Sequence, residues 1–139
     1  MKHDIQIVML IFIWAIVFWL IFGKHVEGAT LDEVILVAQT TYAEANNQCE
    51  DGQRLVIDTV LNRVDDERFP NTIEGVLRQP NQYAKSSKQP PEEIINLVLS
   101  EIENRTNDKV LWFRTKRYHK FGEPITQVED HYFSGKEEN

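Results

Sequence analysis

The sequence predicts a mainly helical α+β domain behind an N-terminal apolar segment, on three observations. Between residues 31 and 102, apolar side chains recur at three- and four-residue spacing in successive stretches, the mark of helices with one face on a core. Two short aromatic runs further on, Val110 to Phe113 and His131 to Phe133, lean towards strand. Ile5 to Phe22 is eighteen residues in which only Gln6 is polar.

That first segment predicts a membrane helix. At ~1.5 Å rise per residue it nearly spans a hydrocarbon core of ~30 Å. A cleaved signal peptide is the competing reading, since Val26-Glu27-Gly28-Ala29 offers small residues nearby. The apolar run, however, exceeds the usual core of about 7 to 15 residues and carries Trp14 and Trp19. Lys2 beside Asp4 on one side, against Lys24 and His25 on the other, leaves the positive-inside rule nearly silent. The expected division is an anchor and linker over 1–29 and one domain over 30–139.

The helices follow in order. Thr30 with Glu33 forms a capping box, and Leu31, Val34, Ile35, Ala38, Tyr42 and Ala45 give the first helix its apolar face. Asp51 suits the N-cap of a second helix through Val56, Ile57, Val60, Leu61 and Val64, which Pro70 stops. Asn71 or Thr72 caps a short third helix through Ile73, Val76 and Leu77. Pro90-Pro91 starts a fourth with Ile94, Ile95, Val98 and Ile102. Beyond Arg105 the two aromatic runs are separated by the turn-like Phe121-Gly122-Glu123-Pro124.

Composition narrows the function. The 139 residues, 42% hydrophobic and 27% charged, suit one domain plus an appendage. The net charge of −7 makes the domain a poor general nucleic-acid binder. Arg114, Lys116, Arg117 and Lys120, interleaved with Trp112, Phe113, Tyr118 and Phe121, are a local exception. They could hold an anionic polymer, or the rings could pack inward while the basic tips stay wet. Cys49 is the only cysteine, so no intramolecular disulfide forms; outside the membrane it could pair two chains, but a small half-buried residue is its ordinary role. His3, His25, His119 and His131 lack ligand spacing such as His-Glu-x-x-His, so neither a metal nor another cofactor is expected.

Glu44 is the residue around which chemistry is expected. At roughly 100° per residue it lies about 140° from the centre of the first helix's apolar stripe, so it faces water or a cleft. A glutamate taken alone is ordinarily a solvated one. Glycan cleavage needs a carboxylic acid to protonate the glycosidic oxygen, and most glycosidases add a second carboxylate. Glu50, Asp51, Asp65, Asp66 and Glu67 fall at helix ends, where capping and solvation account for them.

The residues from 31 to 133 resemble the SleB-type cell-wall hydrolase family, which includes the spore-cortex-lytic enzymes. The resemblance is carried by Tyr42-Ala43-Glu44-Ala45, Gly52-Gln53, Val60-Leu61-Asn62-Arg63-Val64, Phe69-Pro70-Asn71-Thr72-Ile73, Gly75-Val76, Gln79, Gln82-Tyr83, Val110-Leu111-Trp112-Phe113 and His131-Tyr132-Phe133. Family members commonly have Arg-Gly-Glu where this chain has Asn46-Asn47-Gln48, and Phe where it has Tyr83. The resemblance implies a lysozyme-like fold outside the membrane, acting on peptidoglycan glycan strands. It also implies one glutamate, Glu44, serving as acid and then base of a lytic transglycosylase, with Tyr118 and His131 lining the cleft, although a lone histidine beside aromatic residues is ordinarily a hydrogen-bonded structural one. Gln82 and Tyr83 could bind sugar hydroxyls or stack on a ring, or simply stabilise their turn. Asn62 and Arg63 match the family but could equally tie helices together. A wall-binding module without catalysis, and a docking piece on a small membrane protein, are the alternatives from other classes.

Overall fold

The computed structural model describes residues 29–137. The expected membrane segment, Ile5 to Phe22, lies outside the described residues; among those described, no helix is long and apolar enough to cross a membrane.

Helix α1 (Leu31–Ala45) starts with the expected capping box. Glu33 N donates to the Thr30 hydroxyl at 3.3 Å and Thr30 N donates to the Glu33 carboxylate at 2.8 Å. Val34, Val37, Ala38 and Ala45 are buried along it, while Leu31 at its first position is 73% exposed. Thr40 and Thr41 are buried too, their hydroxyls donating one turn back to Leu36 O and Val37 O at 2.9 Å each.

Helix α2 (Glu50–Asp65) has its N-cap two residues before the expected one. Cys49 is its N-cap, in extended backbone and without a side-chain cap bond, and Asp51 sits inside the first turn with Glu50. The reason is tertiary: Glu129 accepts from Cys49 N at 2.7 Å, so a distant carboxylate does the capping that Asp51 was expected to do. From Leu55 to Arg63 every residue of α2 is buried, which makes it the central helix, with α1, α3, α4 and β1 against it.

Helix α3 (Ile73–Leu77) is capped by Thr72, whose hydroxyl accepts from Gly75 N at 3.0 Å. Helix α4 (Glu92–Glu103) follows Pro91. The sheet has three antiparallel strands, β1 (Val110–Thr115), β2 (Glu123–Val128) and β3 (His131–Gly135), in the order β1-β3-β2. β2 replaces part of the expected turn. Pro124 is tolerated in it because β2 is an edge strand.

Two clusters hold these parts together. The larger joins the helices through Val34, Val37, Ala38, Ile57, Val60, Leu61, Ile73, Val76, Leu77, Ile94 and Val98. The smaller joins α1 and α2 to the sheet through Ala45, Leu55, Val56, Val110 and Phe133. Each fully buried Val, Ile, Leu or Phe contributes about 1.5–3 kcal/mol relative to exposure.

Between α2 and α4 lies a buried carboxyl pair, Asp58 and Glu101, both fully inaccessible. Glu101 accepts from Thr106 N at 2.7 Å, from the Thr106 hydroxyl at 3.1 Å and from the Arg54 guanidinium. Asp58 Oδ2 accepts from Asn107 N at 2.7 Å, and Oδ1 finds no donor. A proton on Asp58, donated to Glu101, satisfies both groups. Burial, and then that shared hydrogen bond, push Asp58 up to about 8. Burial opposes the ionisation of Glu101, but the bonds from Asp58, Thr106 and Arg54 outweigh it and hold this carboxyl below its ordinary value. The network fastens residues 106–107, the approach to β1, onto the helices.

Candidate active site

Glu44 occupies the last turn of α1, and its neighbour Ala45 fixes how that turn is rotated. Ala45 is fully buried against Leu55, Val56, Val110 and Phe133, so the preceding side chain points away from the core and is half-buried. Gln53 then closes the end of α1, its side-chain amide donating to Ala45 O at 3.1 Å and Gln48 O at 3.3 Å. This gives the Gly52-Gln53 pair a physical role: a Cβ on Gly52 would stand 3.1 Å from that of Gln48. From the sheet side, Asp130 accepts from Gln48 Nε2 at 2.6 Å, so the β2–β3 turn braces the same loop.

The Glu44 carboxylate accepts a hydrogen bond from Ala84 N, which ties α1 to the loop between α3 and α4. That loop brings Gln82 and Tyr83 alongside. The ring of Tyr83 packs on Phe113, centroids 6.3 Å apart, and its hydroxyl is buried without a hydrogen-bond partner. Burial, and secondarily the charge of Glu44, push the Tyr83 hydroxyl up to about 12, with Arg63 opposing. It therefore remains a protonated donor near the glutamate.

Arg63 organises the far side of this loop. Only 4% exposed, it donates through Nε to Leu111 O at 2.7 Å and through Nη1 to Gln82 Oε1 at 3.1 Å. Its guanidinium lies over Phe69 at 4.9 Å and over Tyr83 at 5.3 Å. Burial pushes its pKa down, yet an arginine stays charged. Asn62 beside it donates to Asn107 O and Val110 O, both at 2.9 Å. Both residues tie α2 to β1, and Arg63 also sets the side-chain orientation of Gln82.

A hollow of ≈ 400 Å³ opens next to Gln82, walled also by Arg63, Phe69, Trp112, His119 and Phe121. The larger hollow, ≈ 710 Å³, lies beyond Trp112 and Phe121 and is walled by residues 65–68 and 135–137. Its size does not make it the reaction centre. Asp66 there is held by Arg68 at 2.9 Å and Lys136 at 3.5 Å, and the Arg68 bond keeps it far on the ionised side. Asp65 pairs with Arg105, and Glu50 with Arg54 at 2.7 Å.

The structure thus brings three of the expected site residues together, Glu44, Gln82 and Tyr83, and sets two apart. Tyr118 packs edge-on against Tyr132 at 5.1 Å. His131 is 5% exposed, between Phe113 at 5.4 Å and Phe133 at 6.1 Å. Of the five expected residues only Gln82 is in the wall of the hollow; Glu44 and Tyr83 join it through the 82–84 loop, and Tyr118 and His131 do not. His131 is linked to the loop through Phe113, which in turn packs on Tyr83. Sequence reasoning did not place Phe69, Asn81, His119 or the Trp112–Phe121 pair in that wall. The interleaved aromatic and basic residues of 112–121 were the available signal for the last three.

Comparison with known proteins agrees with this architecture. The chain is 34% identical over 80 residues to the spore cortex-lytic enzyme of Bacillus subtilis, covering 54% of this chain and 26% of that one. It is 32% identical over 57 residues to the spore cortex-lytic enzyme of Oceanobacillus iheyensis, covering 41% and 21%. The matched part is therefore about a quarter of those relatives' length. Its fold is similar to the catalytic domain of the Bacillus cereus SleB protein, with TM-score 0.71, 24% identity, and coverage of 78% of this chain and 94% of that one. It is also similar to the catalytic domain of the germination-specific lytic transglycosylase SleB from Bacillus anthracis, with TM-score 0.69, 23% identity, and coverage of 78% and 98%. At these identities the solved structures speak for the fold. The family model described as Cell Wall Hydrolase matches residues 47–134, starting three residues after Glu44 and spanning more than half of the 139 residues, and the chain belongs to that family.

Proposed function

We propose that the protein cleaves the glycan strands of peptidoglycan between N-acetylmuramic acid and N-acetylglucosamine, as a lytic transglycosylase in which Glu44 is first acid and then base. Glu44 gives a proton to the glycosidic oxygen as the bond to the muramic anomeric carbon breaks, and the N-acetylglucosamine leaves with its hydroxyl restored. The carboxylate then takes the proton of the muramic C6 hydroxyl, whose oxygen closes on the anomeric carbon to leave a 1,6-anhydro end. The observation that carries this reading is the Glu44 carboxylate itself. It stands half-open on the last turn of α1, fixed by Ala84 N on the loop that also carries a protonated Tyr83 and Gln82, and the hollow that Gln82 helps to wall contains no carboxylate among the described residues. One available glutamate without a second fits a one-residue mechanism better than a two-carboxylate one. The names of the relatives, spore cortex-lytic enzymes, support a wall substrate of the cortex type.

The apolar run Ile5 to Phe22 belongs to this proposal as an uncleaved anchor that holds the domain on the outer face of the membrane. The test is mass spectrometry of fragments released by the full chain from purified cortex and vegetative peptidoglycan. Anhydro ends are expected. Reducing ends would replace the transglycosylase by a hydrolase, and binding without any fragments would leave a wall-binding module.

A further inference from the structure

The hollow beside Gln82 carries features that the acid–base step does not use. Phe121 is 52% exposed, unusual for a large apolar ring. One face of it is backed by the ring of His119, stacked at 4.6 Å, and Trp112 meets it edge-on at 5.3 Å. Gly122 permits this arrangement: its φ is +73°, and a Cβ there would stand 2.7 Å from the Trp112 ring. Polar groups converge opposite. Gln82 has its amide oxygen pinned by Arg63, which turns its amide nitrogen, with two donors, away from that contact. Asn81 holds a left-handed backbone, φ 58°, and is exposed at the same wall. His119 Nε2 contacts Phe113 O at 3.3 Å, so that nitrogen carries the proton and Nδ1 is left as an acceptor. Burial pushes the imidazole towards its neutral form, which agrees with that tautomer.

We propose that this hollow is a saccharide subsite in which the apolar face of an N-acetylated sugar lies on the exposed ring of Phe121, which Trp112 holds edge-on, while Asn81, Gln82 and His119 engage its hydroxyl and amide groups. An amphipathic pyranose has one C–H-rich face and a polar rim, and an aromatic ring held in place beside amides matches both. The volume, ≈ 400 Å³, lies within the range of small-ligand sites. Gln82 is two residues before Ala84, whose N–H holds Glu44, so one loop carries both part of the subsite wall and the contact that fixes the reacting group. This subsite rests on the glycan-cleaving function proposed above.

The test uses the full chain with Glu44→Gln, so that ligand is not consumed, and the N-acetylglucosamine trimer as probe, followed by titration calorimetry. Phe121→Ala is expected to weaken trimer binding about fivefold, the loss of one aromatic contact, while Phe121→Tyr restores it and Leu99→Ala on α4 leaves it unchanged. With Glu44 intact, Phe121→Ala should raise KM on soluble glycan strands and leave kcat in place, the pattern of lost uniform binding. Thermal unfolding of each variant checks that the fold is retained. Trimer binding unaltered by Phe121→Ala, or not restored by Phe121→Tyr, overturns the subsite. No trimer binding by a chain that still releases wall fragments also overturns the subsite but leaves the glycan-cleaving function standing; no binding and no fragments remove both.

Discussion

Two carboxyl sites in this small domain show opposite uses of the same group. Glu101, paired with Asp58, is fully buried and receives donors from Thr106 N, the Thr106 hydroxyl and Arg54 in addition to the proton of Asp58. Glu44 is half-buried and is held by one backbone donor, Ala84 N. A carboxyl whose lone pairs are all engaged cannot exchange a proton with a substrate, however far its pKa has moved. One with an open side can. Among the described residues the carboxyl pushed furthest up, Asp58, lies in the structural network, so a perturbed pKa alone points away from the proposed reaction centre here.

The largest effect should come from the open site. Glu44→Gln keeps the shape and the bond to Ala84 N but removes the proton, and wall cleavage should fall by ~10² to 10⁴-fold with an unchanged melting temperature. Fragment release within about tenfold of the parent would break the comparison and return attention to Asp65, Asp66 and Glu67.

At the closed site the loss should appear in stability. Glu101→Ala strands Asp58 and the Thr106 donors, and urea unfolding should show a loss near the lower end of about 3–5 kcal/mol, because Arg54 keeps Glu50 and, with its side chain 22% exposed, recovers part of its solvation from water. A loss under about 1 kcal/mol would mean that the network does not hold the approach to β1.

A smaller effect separates the two partners by pH. Asp58 rises from 3.8 unfolded to about 8 folded, so its contribution is fully present below about pH 4 and is lost as pH climbs through about 8. Glu101, held low, has the reverse dependence, losing its contribution as pH falls. Asp58→Asn keeps a neutral donor towards Glu101 but cannot titrate. The stability of the parent relative to this variant should therefore decline from about pH 4 to about pH 8, and a flat difference would show that Asp58 carries no proton.

The smallest effect concerns the frame that presents Glu44. Cys49 caps α2 without a side-chain bond and is exposed, so Cys49→Ser should change stability by no more than about 0.5 kcal/mol, upwards if the hydroxyl finds the helix N-terminus. Thermal unfolding and wall digestion at the parent level check it.

Much of the helical architecture was legible because local rules wrote it: the Thr30–Glu33 box, the Thr72 cap, the Pro91 start and the three-four spacing all reappear in place. Where the sequence misled, a distant partner had overridden the local signal. Asp51 is a good cap by type, but Glu129, eighty residues away, takes the N–H of Cys49 and starts α2 earlier. The strand β2 was hidden by Gly122 and Pro124, which read as a turn until β3 supplies the ladder. Periodicity alone set Glu44 off the core face, and the order of the motif blocks pointed to the family. Only tertiary structure decided which residues surround that glutamate. Gln82 and Tyr83 arrive with the 82–84 loop, His131 is drawn into an aromatic core, and Asn81, His119 and Phe121 meet in one wall. The physical reason is range. Caps and helix faces depend on neighbours within a turn or two, whereas a site is built from contacts forty residues apart, such as Glu44 with Ala84, whose geometry exists only after the helices and the sheet have packed.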